Sequence, residues 1–178
     1  EDNQNVEAGT LLASIDDRDF LIALSAAKAQ VSSARASVSN LEGQLRRQES
    51  AVRQARSVTS IDDAELKMAL ANLIRYRNLA ADGSGTVQAL QQAETQLSIR
   101  QADQEKNRAG LQATLQQMDV LKADLEKARA VLKQAEAGRD SAELKLSYTN
   151  ILAPIDGTIG KKSVQLGDYV NVGKPLMA

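Results

Sequence analysis

The sequence predicts an α+β fold that is mostly α: a long antiparallel coiled-coil hairpin inserted between two halves of a small β-sandwich. Three observations predict it. Apolar residues recur at heptad spacing through residues 19–79 and again through 86–146. Each arm has roughly 60 residues and, at 1.5 Å per residue, would be on the order of 90 Å long as a helix. A glycine-bearing turn separates the arms at 81–85. A short motif before the hairpin, Val6-x-x-Gly9-x-x-Leu12, recurs after it as Val170-x-x-Gly173-x-x-Leu176, and such internal repeats mark repeated structural units. The chain is therefore expected to divide into a first half-motif at 1–18, the hairpin at 19–147 with its tip near 80–86, and a second half-motif at 148–178.

In the first half-motif, Asn3, Asn5 and Gly9 carry turn chemistry, and Leu11, Leu12 and Ile15 form the apolar run of a short buried strand. The following Asp16-Asp17-Arg18-Asp19 could be a cluster of carboxylates for metal or acid–base work. The stronger reading is a helix start, with Asp16 or Asp17 as the cap and the other carboxylates at the positive end of the helix dipole.

From Leu24 the spacing alternates by three and four through Ala27, Val31, Ala34, Val38, Leu41, Leu45, Gln48, Val52 and Ala55, a coiled-coil seam. Glu42–Arg46, Glu49–Arg53 and Asp63–Lys67 stand at i,i+4 as surface ion pairs. At 57–63 the seam weakens, because Thr59 and Asp62 fall on it, and Ser60-x-x-Asp63 reads as the cap of a restarting helix. A kink or break is expected there. The register resumes at Leu66, Ala69, Leu73 and Tyr76.

Gly83 and Gly85 stop the first arm and Thr86 can cap the second. The return seam runs Leu90, Ala93, Leu97, then Leu111, Met118, Leu121, Leu125, Ala128, Leu132, Ala135, Ala142 and Leu146, with Arg100, Gln104 and Asn107 interrupting it. Folding the arms about the turn sets 100–107 opposite 58–65, so the two polar interruptions face each other. Past Tyr148 the pattern becomes strand and turn over 148–154, turn and strand over 155–160, and a further short strand over 161–166 closed by Gly167-Asp168.

Composition narrows the function. Only Phe20, Tyr76, Tyr148 and Tyr169 are aromatic, and hydrophobic residues make up 43% of the 178, a profile of long helices rather than of a thick core. With a net charge of −1 and both signs interleaved, there is no basic patch for nucleic acid. No Cys or His is present, which removes the commonest zinc, haem and iron–sulfur ligands and excludes Cys–His and Ser–His catalysis within this chain. No nucleophile–base pair, phosphate loop or metal set can be assembled. A non-enzymatic protein without a cofactor or metal is expected. No apolar run is long enough to span a bilayer, and the sequence reads as a segment of a longer protein.

On either side of the hairpin, "DNQNVEAGTLLASIDDRDF" and "TNILAPIDGTIGKKSVQLGDYVNVGKPLMA" resemble the two halves of the lipoyl-like domain of periplasmic adaptor (membrane fusion) proteins of the HlyD/EmrA type. The positions that carry the resemblance are Val6, Gly9 and Leu12 in the first half, and Pro154, Asp156, Gly157, Gly167, Val170 and Gly173 in the second. The resemblance implies a multidrug-efflux or secretion adaptor: periplasmic, anchored to the inner membrane by a segment outside this chain, and assembled with itself into a ring such as a hexamer. Such a ring links an inner-membrane transporter to a TolC-type outer-membrane channel. The start at Asp2 and the long hairpin are most similar to EmrA-like members, which work with major-facilitator transporters.

Family members that dock on such channels carry Arg-Leu-x-x-Leu-(six residues)-Ser at the tip. Arg75, Leu79 and Thr86 keep that spacing, with Thr86 in place of Ser and Tyr76 in place of Leu. The same residues also read as the end of the seam and a helix cap. A lipoyl or biotinyl carrier is disfavoured, since its modified Lys belongs where this chain has the hairpin, and Lys161 and Lys162 lie elsewhere. A type I secretion adaptor, or a structural tether that docks on no channel, stays open.

Overall fold

The computed structural model describes residues 4–171 and 173–177; Asp2 and Asn3 lie outside them. Its elements are β1 (Gln4–Val6), β2 (Leu11–Ser14), α1 (Arg18–Ala81), α2 (Val87–Ser147), β3 (Asn150–Leu152) and β4 (Gly157–Ile159). The chain divides into two compact units, Glu1–Ser32 with Lys133–Ala178, and Ser33–Leu132.

In the first unit each small sheet takes one strand from either side of the hairpin. β1 pairs antiparallel with β4, Gln4 opposite Ile159 and Val6 opposite Gly157. β2 pairs antiparallel with β3, with a register irregularity between Leu11 and Ala13. The two half-motifs are thus interlocked by backbone hydrogen bonds, which long-range pairing of short strands requires. Thr149, 2% exposed, helps close this joint: its hydroxyl donates to the Leu146 carbonyl (2.7 Å), and its own carbonyl accepts from Ile15 N–H (2.8 Å).

The internal repeat is structural. Gly9 and Gly173 both adopt positive φ, 86° and 89°. Each closes the same turn, Thr10 N–H to the Glu7 carbonyl and Lys174 N–H to the Asn171 carbonyl, both 3.1 Å.

Several local expectations change. Asn5 lies within β1 rather than in a turn. Leu11 is 56% exposed, so β2 is only half-buried. Residues 161–166 form no strand; a single antiparallel bridge joins Lys162 to Met177, with Ser163 N–H donating to the Leu176 carbonyl (3.0 Å). Gly167, at φ 93°, and Asp168, whose carboxylate accepts from Gln165 N–H (2.9 Å), turn the chain too soon for a strand to extend.

In the second unit the expected break at 57–63 is absent: α1 continues through it. The polar seam residues are paired instead of breaking the helix. Asp62, 8% exposed, accepts from Asn107 Nδ2 (2.9 Å). Asp63 faces Gln104 and Arg108, and Glu65 faces Arg100 at 2.8 Å. Asp62, Asp63 and Glu65 find partners on the other helix, and the Thr59 hydroxyl donates to the Arg56 carbonyl of its own helix (2.9 Å), so the seam can carry them without interrupting the backbone ladder. Gln48 is accommodated likewise, donating to the Thr114 carbonyl (2.8 Å).

The three anticipated i,i+4 pairs yield to other partners. Glu42 binds Arg129 across the hairpin (3.2 Å), Arg53 turns to the Ser50 hydroxyl, and Asp63 turns to α2. Cross-helix partners lie over the seam, where a side chain is already held by packing. Elsewhere the seam is as spaced: Leu24, Val31, Ala34, Val38, Val52, Ala69, Leu73, Ala93 and Leu125 are buried.

Candidate docking site at the hairpin tip

The tip is built by helix-end chemistry. α1 closes through Asp82 N–H to the Asn78 carbonyl (3.0 Å), while Ser84 and Gly85 N–H both donate to the Leu79 carbonyl (3.0 and 2.8 Å). These bonds occupy carbonyls that a helix terminus leaves open. Gly83 takes positive φ, 73°. Gly85 is required for a different reason: a Cβ there would stand 3.0 Å from Leu79 C, Leu79 Cβ and Ala80 N. The chain then reverses into α2, where the Thr86 hydroxyl accepts from Ala89 N–H (3.1 Å), an N-cap.

This turn gathers the four candidate residues at one end of the hairpin. Arg75 is exposed and makes no ion pair among the described residues. Tyr76 and Leu79 are each 37% exposed. Thr86 is exposed but its hydroxyl is committed to the cap. Beneath them, Ala69, Leu73 and Ala93 are buried. Tyr76 also lines a cleft of about 260 Å³ with Asn72, Ala89 and Gln96, so its ring spans the edge of the seam and solvent. The arrangement offers an exposed cation, an aromatic and an aliphatic knob to another surface.

The half-motif residues hold the first unit together. Asp156 Oδ1 accepts from Ala8 N–H (2.7 Å), tying the second half-motif to the turn before Gly9. Gly9 N–H donates to the Ala153 carbonyl (2.8 Å) and Ala153 N–H to that of Thr10 (2.9 Å). Val6, Leu12 and Val170 are half-buried, Pro154 is exposed, and Gly157 lies in β4. Of the acidic run, Asp16 is the helix-start residue, its carboxylate accepting from the backbone N–H (3.2 Å) and Nε (2.9 Å) of Arg18. No group of three or more potential metal ligands occurs among the described residues, and none of their helices is long and apolar enough to cross a membrane.

Two long paired helices and a unit of interlocked β half-motifs define a coiled-coil-bearing barrel-sandwich hybrid. The chain matches the family model described as "RND MFP, barrel-sandwich hybrid domain" over residues 1–178. It is 32% identical over 183 residues to the fatty acid resistance protein FarA of Neisseria gonorrhoeae, covering all of this chain and 43% of FarA. It is 30% identical to the multidrug resistance protein MdtA of Pantoea ananatis, covering 97% of this chain and 28% of MdtA. The solved structure of the periplasmic adaptor protein EmrA superposes with a TM-score of 0.52 at 17% identity, over 99% of this chain and 65% of that one. The chain belongs to the membrane fusion protein, or periplasmic adaptor, family. It spans less than half the length of these curated relatives.

Proposed function

We propose that this chain is the hairpin and lipoyl-like portion of an adaptor subunit in a tripartite efflux system. It connects an inner-membrane transporter to a TolC-type outer-membrane channel. The role is mechanical and non-enzymatic: the half-motif unit packs against neighbouring copies in a ring such as a hexamer, and the tip docks. The full protein sits in the periplasm, held to the inner membrane by a segment beyond this chain. The observation that carries the reading is the tip itself, where Arg75, Tyr76 and Leu79 are exposed on the last two turns of α1, directly before the hydrogen-bonded reversal into α2.

For the transporter, the EmrA-like start of the sequence favours the major-facilitator class. The family model's own description favours an RND partner. Copurification of the tagged full-length protein with its membrane transporter decides between them.

Docking is tested by single-cysteine crosslinking in cells; this sequence contains no cysteine, and any cysteine elsewhere in the full-length protein is first replaced by serine. Ser84→Cys is the tip reporter, because Thr86 is needed as a cap; Ser32→Cys is the control. A short bifunctional reagent should link position 84, and not position 32, to an epitope-tagged TolC-type channel. Equal labelling from both positions, or none from 84 in an assembled protein, overturns the docking role.

A further inference from the structure

The two half-motifs begin alike and are finished differently. A constant interval relates Val6, Gly9 and Leu12 to Val170, Gly173 and Leu176. By that interval β1 corresponds to 168–170, and β2 to a stretch that starts at Pro175. β1 and β2 each have a strand partner, β4 and β3. Their counterparts have none: among the described residues, 168–170 form no strand, and 175–177 carry only the single bridge from Met177 to Lys162. The backbone bonds differ in the same way. Gly9 N–H and the Thr10 carbonyl are both bound to Ala153. Gly173 N–H and the Lys174 carbonyl stand in their places and make no hydrogen bond among the described residues. Pro175 is no obstacle to pairing, because the first residue of a strand can lack an N–H. Beside this edge lies an apolar cleft of about 430 Å³, lined by Val170 and Leu176 together with Ile15, Phe20 and Ile151. Tyr169 is 85% exposed. Unpaired backbone donors and acceptors next to bare apolar surface are what an added strand satisfies.

We infer that this edge is filled by the chain that precedes Glu1 in the full-length protein. That chain supplies two short strands, the counterparts of β3 and β4, which pair antiparallel with 175–177 and with 168–170 and close the cleft with their apolar side chains. The channel docking proposed above can fail without touching this assignment.

The repeat sets the place of these strands. In the second half-motif, β3 and β4 come before Val170 in the chain. The same spacing counted back from Val6 puts their counterparts about 6 to 15 residues before Glu1. No new geometry is needed, because β3 and β4 already do the same for β1 and β2 in the other half. A second copy of this chain fits less well: its own β3 and β4 are taken up by its β1 and β2, so it has no free strand pair to offer. Strands from the same polypeptide also avoid the entropy that association of separate molecules loses.

The test uses the full-length protein. The photoreactive amino acid p-benzoylphenylalanine replaces Tyr169, an exposed aromatic whose counterpart, Asn5, stands opposite Thr158 in the β1–β4 pair. The same replacement at Tyr76 on the hairpin is the control. After irradiation the linked peptides are identified by mass spectrometry, and a denaturing gel separates links within one copy, which keep the monomer mass, from links between copies. A link from position 169, and not from 76, to the stretch before Glu1 of the same copy is expected. A link to that stretch of another copy, a link only to the chain beyond Ala178, or no link to either overturns the inference. Hydrogen exchange gives a second readout on the unsubstituted full-length protein. The Gly173 amide should exchange at least about tenfold more slowly than in an unstructured peptide, as the bonded Gly9 amide should. Exchange of Gly173 at the unprotected rate leaves the edge unpaired and overturns the inference.

Discussion

Asp16 joins the start of α1 to an ion pair, and its titration reports both. Hydrogen bonds from the Arg18 side chain, then from the Arg18 backbone N–H, hold its carboxyl down from 3.8 to about 2. A carboxyl depressed on folding stabilises the fold above its unfolded pKa and stops doing so as pH falls through its folded value. This contribution is therefore complete above about pH 4 and lost towards pH 2; at a fully exposed site it is small. A carboxyl NMR titration should place the Asp16 midpoint near 2, and Arg18→Ala should move it back up. Two glycines give a second residue-scale prediction, with opposite signs. Gly85→Ala forces a methyl against the backbone of Leu79 and Ala80 at 3.0 Å and should cost about 1–3 kcal/mol. Gly110, within α2 with nothing within 4 Å of an added Cβ, should gain about 0.5–1 kcal/mol on substitution by Ala. Thermal melts of the two variants should shift in opposite directions.

Among the elements, the polar layer inside the hairpin is where local rules and packing compete. Asp62 is 8% exposed and depends on Asn107. Asn107→Leu alone leaves a buried carboxylate without its donor and should cost about 1–3 kcal/mol. Asp62→Leu with Asn107→Leu removes both polar groups and should recover most of that loss or exceed the parent stability. Denaturation midpoints of the single and double variants check this; a double variant weaker than the single would refute it.

The same layer shows what was legible in the sequence. The seam residues, the turn at Gly83 and Gly85, the facing of the two polar stretches and the repeat at Gly9 and Gly173 follow from spacing and backbone chemistry, which are local. Continuity of α1 through Ser57 and Asp63 does not, because it depends on donors supplied by Gln104, Asn107 and Arg108 from a distant part of the chain. The lost strand at 161–166 and the half-exposure of Leu11 are also tertiary outcomes. At the tip, the spacing of Arg75, Leu79 and Thr86 is readable, and so is the capping role of Thr86, whose hydroxyl accepts from Ala89 N–H.

For the whole molecule, the proposed role makes arm length a functional quantity separable from stability. Removing residues 45–51 from α1 and 111–117 from α2 deletes one heptad from each arm. Val52 then takes the seam position of Leu45, and Met118 that of Leu111, so the buried periodicity continues. The two segments face one another, as the bond from Gln48 to the Thr114 carbonyl shows, so the polar layer and the tip keep their register. The shortened hairpin should melt close to the parent temperature, since the deletion takes a matched layer rather than a core contact from one side. Each arm loses seven residues and so shortens by about 10 Å. If the adaptor bridges two membrane partners at a fixed separation, drug resistance of cells carrying only the shortened full-length protein should collapse, and the Ser84→Cys crosslink to the channel should vanish with it. Deleting only one of the two segments shifts the arms against each other and should unfold the distal hairpin instead, seen as lost helicity. Resistance that survives the paired deletion would mean that the hairpin acts as a flexible tether, with reach irrelevant to coupling.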